Sequence, residues 1–167
     1  MTTDGGALAL ALSSSTGVIS AAVGRVGEVD PLASVTLTTD RRHAEEISPL
    51  IQKLLADSGV TLADLGLLIV DRGPGRFTGL RVGLATIKTL SFALGVPVVG
   101  MTSLEILAAV ARSRFDGVGE TTVTAVIDAR REEVFQQRFS VDLEPLTAPE
   151  VGPASELAFR ADGFVVG

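Results

Sequence analysis

Leucine alternates with alanine from residue 7 to Ser13, a period of two that predicts a buried strand, and Thr16-Gly17 supplies the turn into a returning strand over residues 18–23. Residues 32–39 predict a third strand. The period then changes: Ile47, Leu50, Ile51, Leu54 and Leu55 recur at helical spacing, so residues 44–58 predict a helix that ends before Gly59. Pro49 either kinks this helix or marks its start with Ser48 as the cap, and the pattern allows both. A short buried strand over residues 67–70 runs into a glycine-rich turn. Residues 78–94 predict a second helix whose apolar and small residues cover almost the whole circumference. Gly95-Val96-Pro97 breaks it, and residues 98–100 predict another strand. Residues 103–114 predict a third, amphipathic helix, capped at Thr102 or Ser103 with Glu105 near its positive end. Residues 122–128 and 134–141 flank the polar Ala129-Arg130-Arg131-Glu132-Glu133 turn as a second hairpin. Residues 154–161 predict a short helix and residues 164–166 a last strand.

Element order decides the fold class. A hairpin, then strand, helix, strand, helix, strand and helix, followed by a new hairpin, is the plan of an α/β ribonuclease H-like lobe that begins to repeat. Strands alternating with helices imply a largely parallel sheet with an antiparallel hairpin at one side. Residues 1–117 are therefore expected to form one complete lobe, with a boundary near residues 117–120. Residues 118–167 are expected to form a truncated second lobe.

The turn Gly73-Pro74-Gly75-Arg76-Phe77-Thr78-Gly79-Leu80-Arg81-Val82-Gly83 has the look of a ligand loop without its chemistry. A phosphate-cradling P-loop needs a Gly-Lys-Ser/Thr ending, and no such lysine occurs; a dinucleotide fingerprint needs glycine where Thr78 stands. Helix packing is the remaining explanation. Gly79 and Gly83 lie one turn apart on one face, and each costs roughly 1 kcal/mol relative to alanine in a helix interior. Something must approach that face more closely than a side chain permits, either this chain's own sheet or another subunit.

Composition narrows the classes further. With 46% hydrophobic residues in 167, the chain can bury a sizeable core. Zero cysteines exclude a disulfide framework, a cysteine nucleophile and thiolate metal sites. A net charge of −6, with no Trp and no Tyr, argues against direct capture of nucleic acid, which relies on Lys and Arg against phosphates and on aromatic stacking. The amino terminus has no basic n-region and the apolar runs are too short to span a bilayer, so a cytoplasmic protein without membrane association is expected.

The segment Gly73 to Gly83 resembles the Gly-Pro-Gly-Ser-Phe-Thr-Gly-Leu-Arg-Ile-Gly signature of the TsaB (YeaZ) family, with Arg76 in place of the usual serine. Arg42-His43-Ala44-Glu45 ahead of Pro49-Leu50-Ile51, and Asp128 to Val134 in the second hairpin, add to a likeness that spans Leu8 to about Glu150. The resemblance implies the actin-like ATPase fold. It also implies a non-catalytic scaffold subunit that dimerises with a TsaD-like catalytic subunit for N6-threonylcarbamoyladenosine modification of tRNA. A TsaE-like ATPase joins that assembly, tRNA is reached only through the complex, and the subunit alone self-associates as a homodimer through the same surface. That surface would be built from the first two helices, with Ile47, Leu50, Ile51, Leu54, Gly79, Leu80, Gly83 and Ile87 as candidate contacts; several of these equally suit the chain's own core. On the interface reading, Gly83→Leu separates partner binding from folding.

The resemblance also marks nucleotide chemistry. Where actin-like enzymes carry an acid at the end of the first strand, this chain has Ser13, followed by Ser14. A serine cannot supply the negative charge that a hard cation needs, so no intrinsic cofactor is expected, and ATP or ADP would sit at the boundary with the partner. Asp71 and Asp128 complete the nucleotide-proximal candidates. They also carry the alternative, an actin-fold ATPase or kinase active on its own; a homodimer of unrelated role is the third reading. His43, the single histidine, has Ile47 where a second imidazole would stand one turn on, so no metal site is expected and His43 caps or flanks the helix.

Overall fold

A computed structural model of the protein describes residues 6–39, 43–114, 121–156 and 163–167. They fall into two compact units, one holding the described residues up to Arg72 together with Arg76–Met101, the other Gly73–Gly75 with the described residues from Thr102 onward. The expected boundary at residues 117–120 lies outside the described residues.

The first unit is a five-stranded sheet in the order β3-β2-β1-β4-β5. Strands β1 (Leu8–Ser13), β2 (Val18–Arg25) and β3 (Ala33–Thr38) form an antiparallel meander. Strands β4 (Leu65–Asp71) and β5 (Val98–Met101) add in parallel beside β1. The alternation in β1 and β2 sends Leu10, Leu12, Ile19, Ala21 and Val23 into a core with Leu68 and Val70 of β4. Against it pack helix α1 (His43–Ser58) through Ile47, Leu50, Ile51 and Leu54, and helix α2 (Phe77–Leu94) through Ile87. Pro49 lies inside α1 and does not start it. It faces solvent, where the amide it lacks leaves the Glu45 carbonyl within reach of water. Helix α2 stops at Gly95, which takes the left-handed conformation at φ 68° and returns its amide to the Ser91 carbonyl at 2.9 Å.

The second unit repeats the strand order. Its sheet runs β8-β7-β6-β9, with β6 (Thr122–Arg130), β7 (Glu133–Phe139) and β8 (Glu150–Pro153) antiparallel and β9 (Gly163–Val166) parallel to β6. Helix α3 (Ser103–Arg114) packs Leu104, Ala108 and Ala111 on Val123, Ala125 and Phe139. Its start is a capping box: the Thr102 hydroxyl accepts the Glu105 amide at 3.1 Å, and the Glu105 carboxylate accepts the Thr102 amide at 2.6 Å. Two sequence expectations are corrected. Strand β7 ends at Phe139, two residues early, because the Ser140 hydroxyl accepts the Asp142 and Glu144 amides and folds a turn there. Strand β8 is not among the strands the sequence predicts, and it arises because Glu150–Pro153 pairs along the edge of β7. Of the expected helix over residues 154–161, a 3-10 turn at Ala154–Glu156 is described and the rest lies outside the described residues.

Candidate functional site

The turn between β1 and β2 lies at the carboxyl ends of the parallel strands, and both helices of the first unit close on it. Ser13, the last residue of β1, donates its hydroxyl to the buried Asp71 carboxylate at 2.7 Å, tying β1 to β4. Ser14 is buried and donates to the Gly79 carbonyl of α2 at 2.9 Å. The Arg76 amide, at the start of α2, reaches the Ser15 carbonyl. From α1, the buried His43 places Nε2 3.1 Å from the Thr16 carbonyl oxygen. A carbonyl only accepts, so Nε2 carries the proton.

This clamp answers the question raised by the two helical glycines. A Cβ at Gly79 would run into the Ser14 carbonyl oxygen and press on the His43 ring; a Cβ at Gly83 would run into the Ser14 hydroxyl. The close approach is made by the turn of the same chain. Gly83→Leu therefore places its side chain against Ser14 inside the unit, so a loss of partner binding in that variant does not by itself separate binding from folding. His43 is the first residue of α1, and beyond that place at the helix start its side chain pins the β1–β2 turn.

The other sequence candidates sort by face. Ile47, Leu50, Ile51, Leu54, Gly79, Gly83 and Ile87 are buried in the first unit, and Leu80 is half-buried. Asp71 is brought to Ser13, while Asp128 lies in the second unit, where its carboxylate accepts the Arg130 amide at 2.7 Å and shapes the β6–β7 hairpin. Among the described residues no three His, Asp or Glu side chains gather as a metal-binding group. No described helix is long and apolar enough to cross a membrane.

The outward face of α2 is what sequence reasoning missed. Phe77 is 72% exposed and Phe92 93% exposed, far beyond what a helix buried against its own sheet would leave in water. Between them on the same side lie Arg81, Ala85 and Lys88, all exposed. The Arg81 guanidinium lies over the Phe77 ring, 5.3 Å from its centroid. Phe77, Thr78, Arg81, Val82, Ala85 and Thr86 line a shallow groove of about 470 Å³ along this face. One signal marked it: Arg81 and Lys88 are the charged residues of α2, two turns apart, and charge identifies the solvent side of a helix that is otherwise apolar all round.

Comparison with known proteins agrees with this architecture. A family model described as tRNA N6-adenosine threonylcarbamoyltransferase, TsaD, matches residues 32–150. An uncharacterised protein of Mycobacterium tuberculosis is 35% identical over 153 residues, covering 92% of this chain and 66% of the relative. The tRNA threonylcarbamoyladenosine biosynthesis protein TsaB of Haemophilus influenzae is 36% identical over 126 residues, 75% of this chain and 51% of the relative. The solved structure of YeaZ from Pseudomonas aeruginosa superposes with a TM-score of 0.82 at 31% identity, covering 96% of this chain and 76% of that one. The chain thus spans two thirds or less of the length of these curated relatives.

Proposed function

The chain belongs to the TsaB (YeaZ) family, whose actin-like α/β fold it shares, and on that premise we propose that it is a non-catalytic scaffold subunit for threonylcarbamoyladenosine formation on tRNA. It pairs with a TsaD-like catalytic protein, and a TsaE-like ATPase joins the pair. The observation that carries this reading is the exposed α2 face, where two phenylalanines stand in water on one side of a helix. Exposed aromatic anchors of this kind mark protein interfaces. The pairing surface is the outward stripe from Phe77 to Phe92. Ile47, Leu50, Ile51, Leu54, Gly79, Gly83 and Ile87 hold the two helices in place from beneath, with Leu80 at the margin.

The non-catalytic assignment is supported by Ser13, a neutral hydroxyl already donated to Asp71. ATP or ADP is assigned to the boundary with the partner. The net charge of −6 leaves tRNA to be engaged through the complex, and a tRNA-modifying role implies the cytoplasm.

The test mixes the purified chain with the TsaD-like protein of the same genome and follows complex mass by light scattering. Phe92→Asp is expected to weaken the complex about thirtyfold or more, the loss typical of an interface hot spot of about 2 kcal/mol, with the circular dichroism spectrum unchanged. Wild-type affinity in that variant would overturn the assignment of the surface.

A further inference from the structure

We propose that Arg81 and Lys88 select the partner of the α2 face, favouring a helix that carries two carboxylates about two turns apart and disfavouring a second copy of this chain. The proposal rests on the reading of α2 as the pairing surface and adds to it the chemistry of the occupant. Phe77, Arg81, Ala85, Lys88 and Phe92 follow one another at intervals of three or four residues, so they form a single stripe along the exposed side of α2. The stripe is close to symmetric about its middle: an aromatic at each end, a cation inside each aromatic, a small residue at the centre.

That symmetry has two consequences of opposite sign. If a second copy packs antiparallel over the stripe about a two-fold axis, each Phe77 meets the other copy's Phe92, which is favourable. By the same operation each Arg81 meets the other copy's Lys88, and this like-charge encounter occurs twice because a two-fold interface repeats every contact. The 18 residues of α2 contain no acid to relieve it. The cations are separated by about 10 Å along the axis, from a rise of about 1.5 Å per residue. A different helix with apolar residues opposite the phenylalanines and carboxylates at matching separation satisfies every position. Arg81 is already held in place over the Phe77 ring, so a planar guanidinium is presented to such a carboxylate. On the neighbouring helix, Lys53 is paired with Asp57, while Glu45 and Glu46 near the start of α1 are the acids that a second copy would have to bring for the opposite result.

Charge reversal separates these cases. Arg81→Glu or Lys88→Glu alone converts both like-charge encounters of the self-pair into attractions. Each single variant is expected to tighten self-association about tenfold in sedimentation equilibrium, and to weaken the complex with the TsaD-like protein about tenfold. The double variant Arg81→Glu/Lys88→Glu restores like charge between copies and is expected to return self-association to the wild-type level. Added salt should strengthen wild-type self-association and weaken the mixed complex. Single reversals that weaken self-association, as they would if Glu45 or Glu46 of a second copy faced Arg81, overturn the proposal. Phe92→Ala distinguishes the two levels. If it leaves both associations unchanged, the α2 surface is wrong and the charge proposal falls with it. If it weakens both while the single reversals fail to tighten the self-pair, the surface stands and only the charge selection is refuted.

Discussion

The two units build the same strand order, β3-β2-β1-β4 and β8-β7-β6-β9, yet they treat the opening hairpin in opposite ways. In the first unit Ser14 and Ser15 at the start of the β1–β2 turn are buried, and Ser13 and Ser14 are bonded to β4 and α2. In the second the β6–β7 turn stands in water, and Arg130, Arg131 and Glu132 all adopt positive φ, at 73°, 56° and 65°. That conformation costs about 1 kcal/mol or more for each residue with a Cβ. Arg130 pairs with Glu133, so Arg131 and Glu132 form a two-residue loop of the kind that favours Asn-Gly. A turn seated against a helix face is specified by what its neighbours exclude. A turn in solvent is specified by strand register, which drags poorly suited residues into place.

Three variants sharpen this contrast. Gly83→Leu drives a side chain into Ser14 beneath the buried turn and is expected to cost more than about 4 kcal/mol; urea denaturation would reveal a chain that no longer folds cooperatively. A variant of near wild-type stability would mean that the turn yields and that the clamp is not rigid. Phe139→Ala empties the largest fully buried side chain among the described residues of the second unit, in a cluster with Ala108, Ala111 and Ala125, and should cost about 3–5 kcal/mol. Its thermal midpoint compared with wild type checks whether that core is as tightly filled as the first. The smallest effect runs the other way: Arg131→Asn with Glu132→Gly is expected to gain about 1–2 kcal/mol by relieving positive φ. No gain would show that the exposed hairpin carries little strain.

Much of the architecture was legible in the chain. Period two in residues 7–13, period 3.6 in residues 44–58, and the Gly59 and Gly95 stops place β1, α1 and α2 within a residue or two of where they lie. The start of α3 was marked by Thr102, Ser103 and Glu105, and the structure chooses Thr102 as the cap and closes the box with Glu105. The site was less legible. Helix α2 is apolar or small on nearly every side, so Arg81 and Lys88 alone marked its outer face, and the candidates chosen for partner contact lie mostly on its inner one. Strand β8 has no alternating pattern of its own, and the edge of β7 supplies its partners.

Sequence by itself determined the elements, their order and the need for something to approach Gly79 and Gly83 closely, because periodicity, caps and the absence of a Cβ are properties of neighbouring residues. Tertiary structure decided what approaches. Ser14 stands 65 positions before Gly79 in the chain, and it meets α2 because β4 pairs in parallel with β1 and delivers the chain to the same end of the sheet. The same pairing turns Ile87 and the glycines inward and leaves Phe77 and Phe92 in water; Arg81 and Lys88 mark that side as the solvent one, and packing decides that two phenylalanines accompany them there.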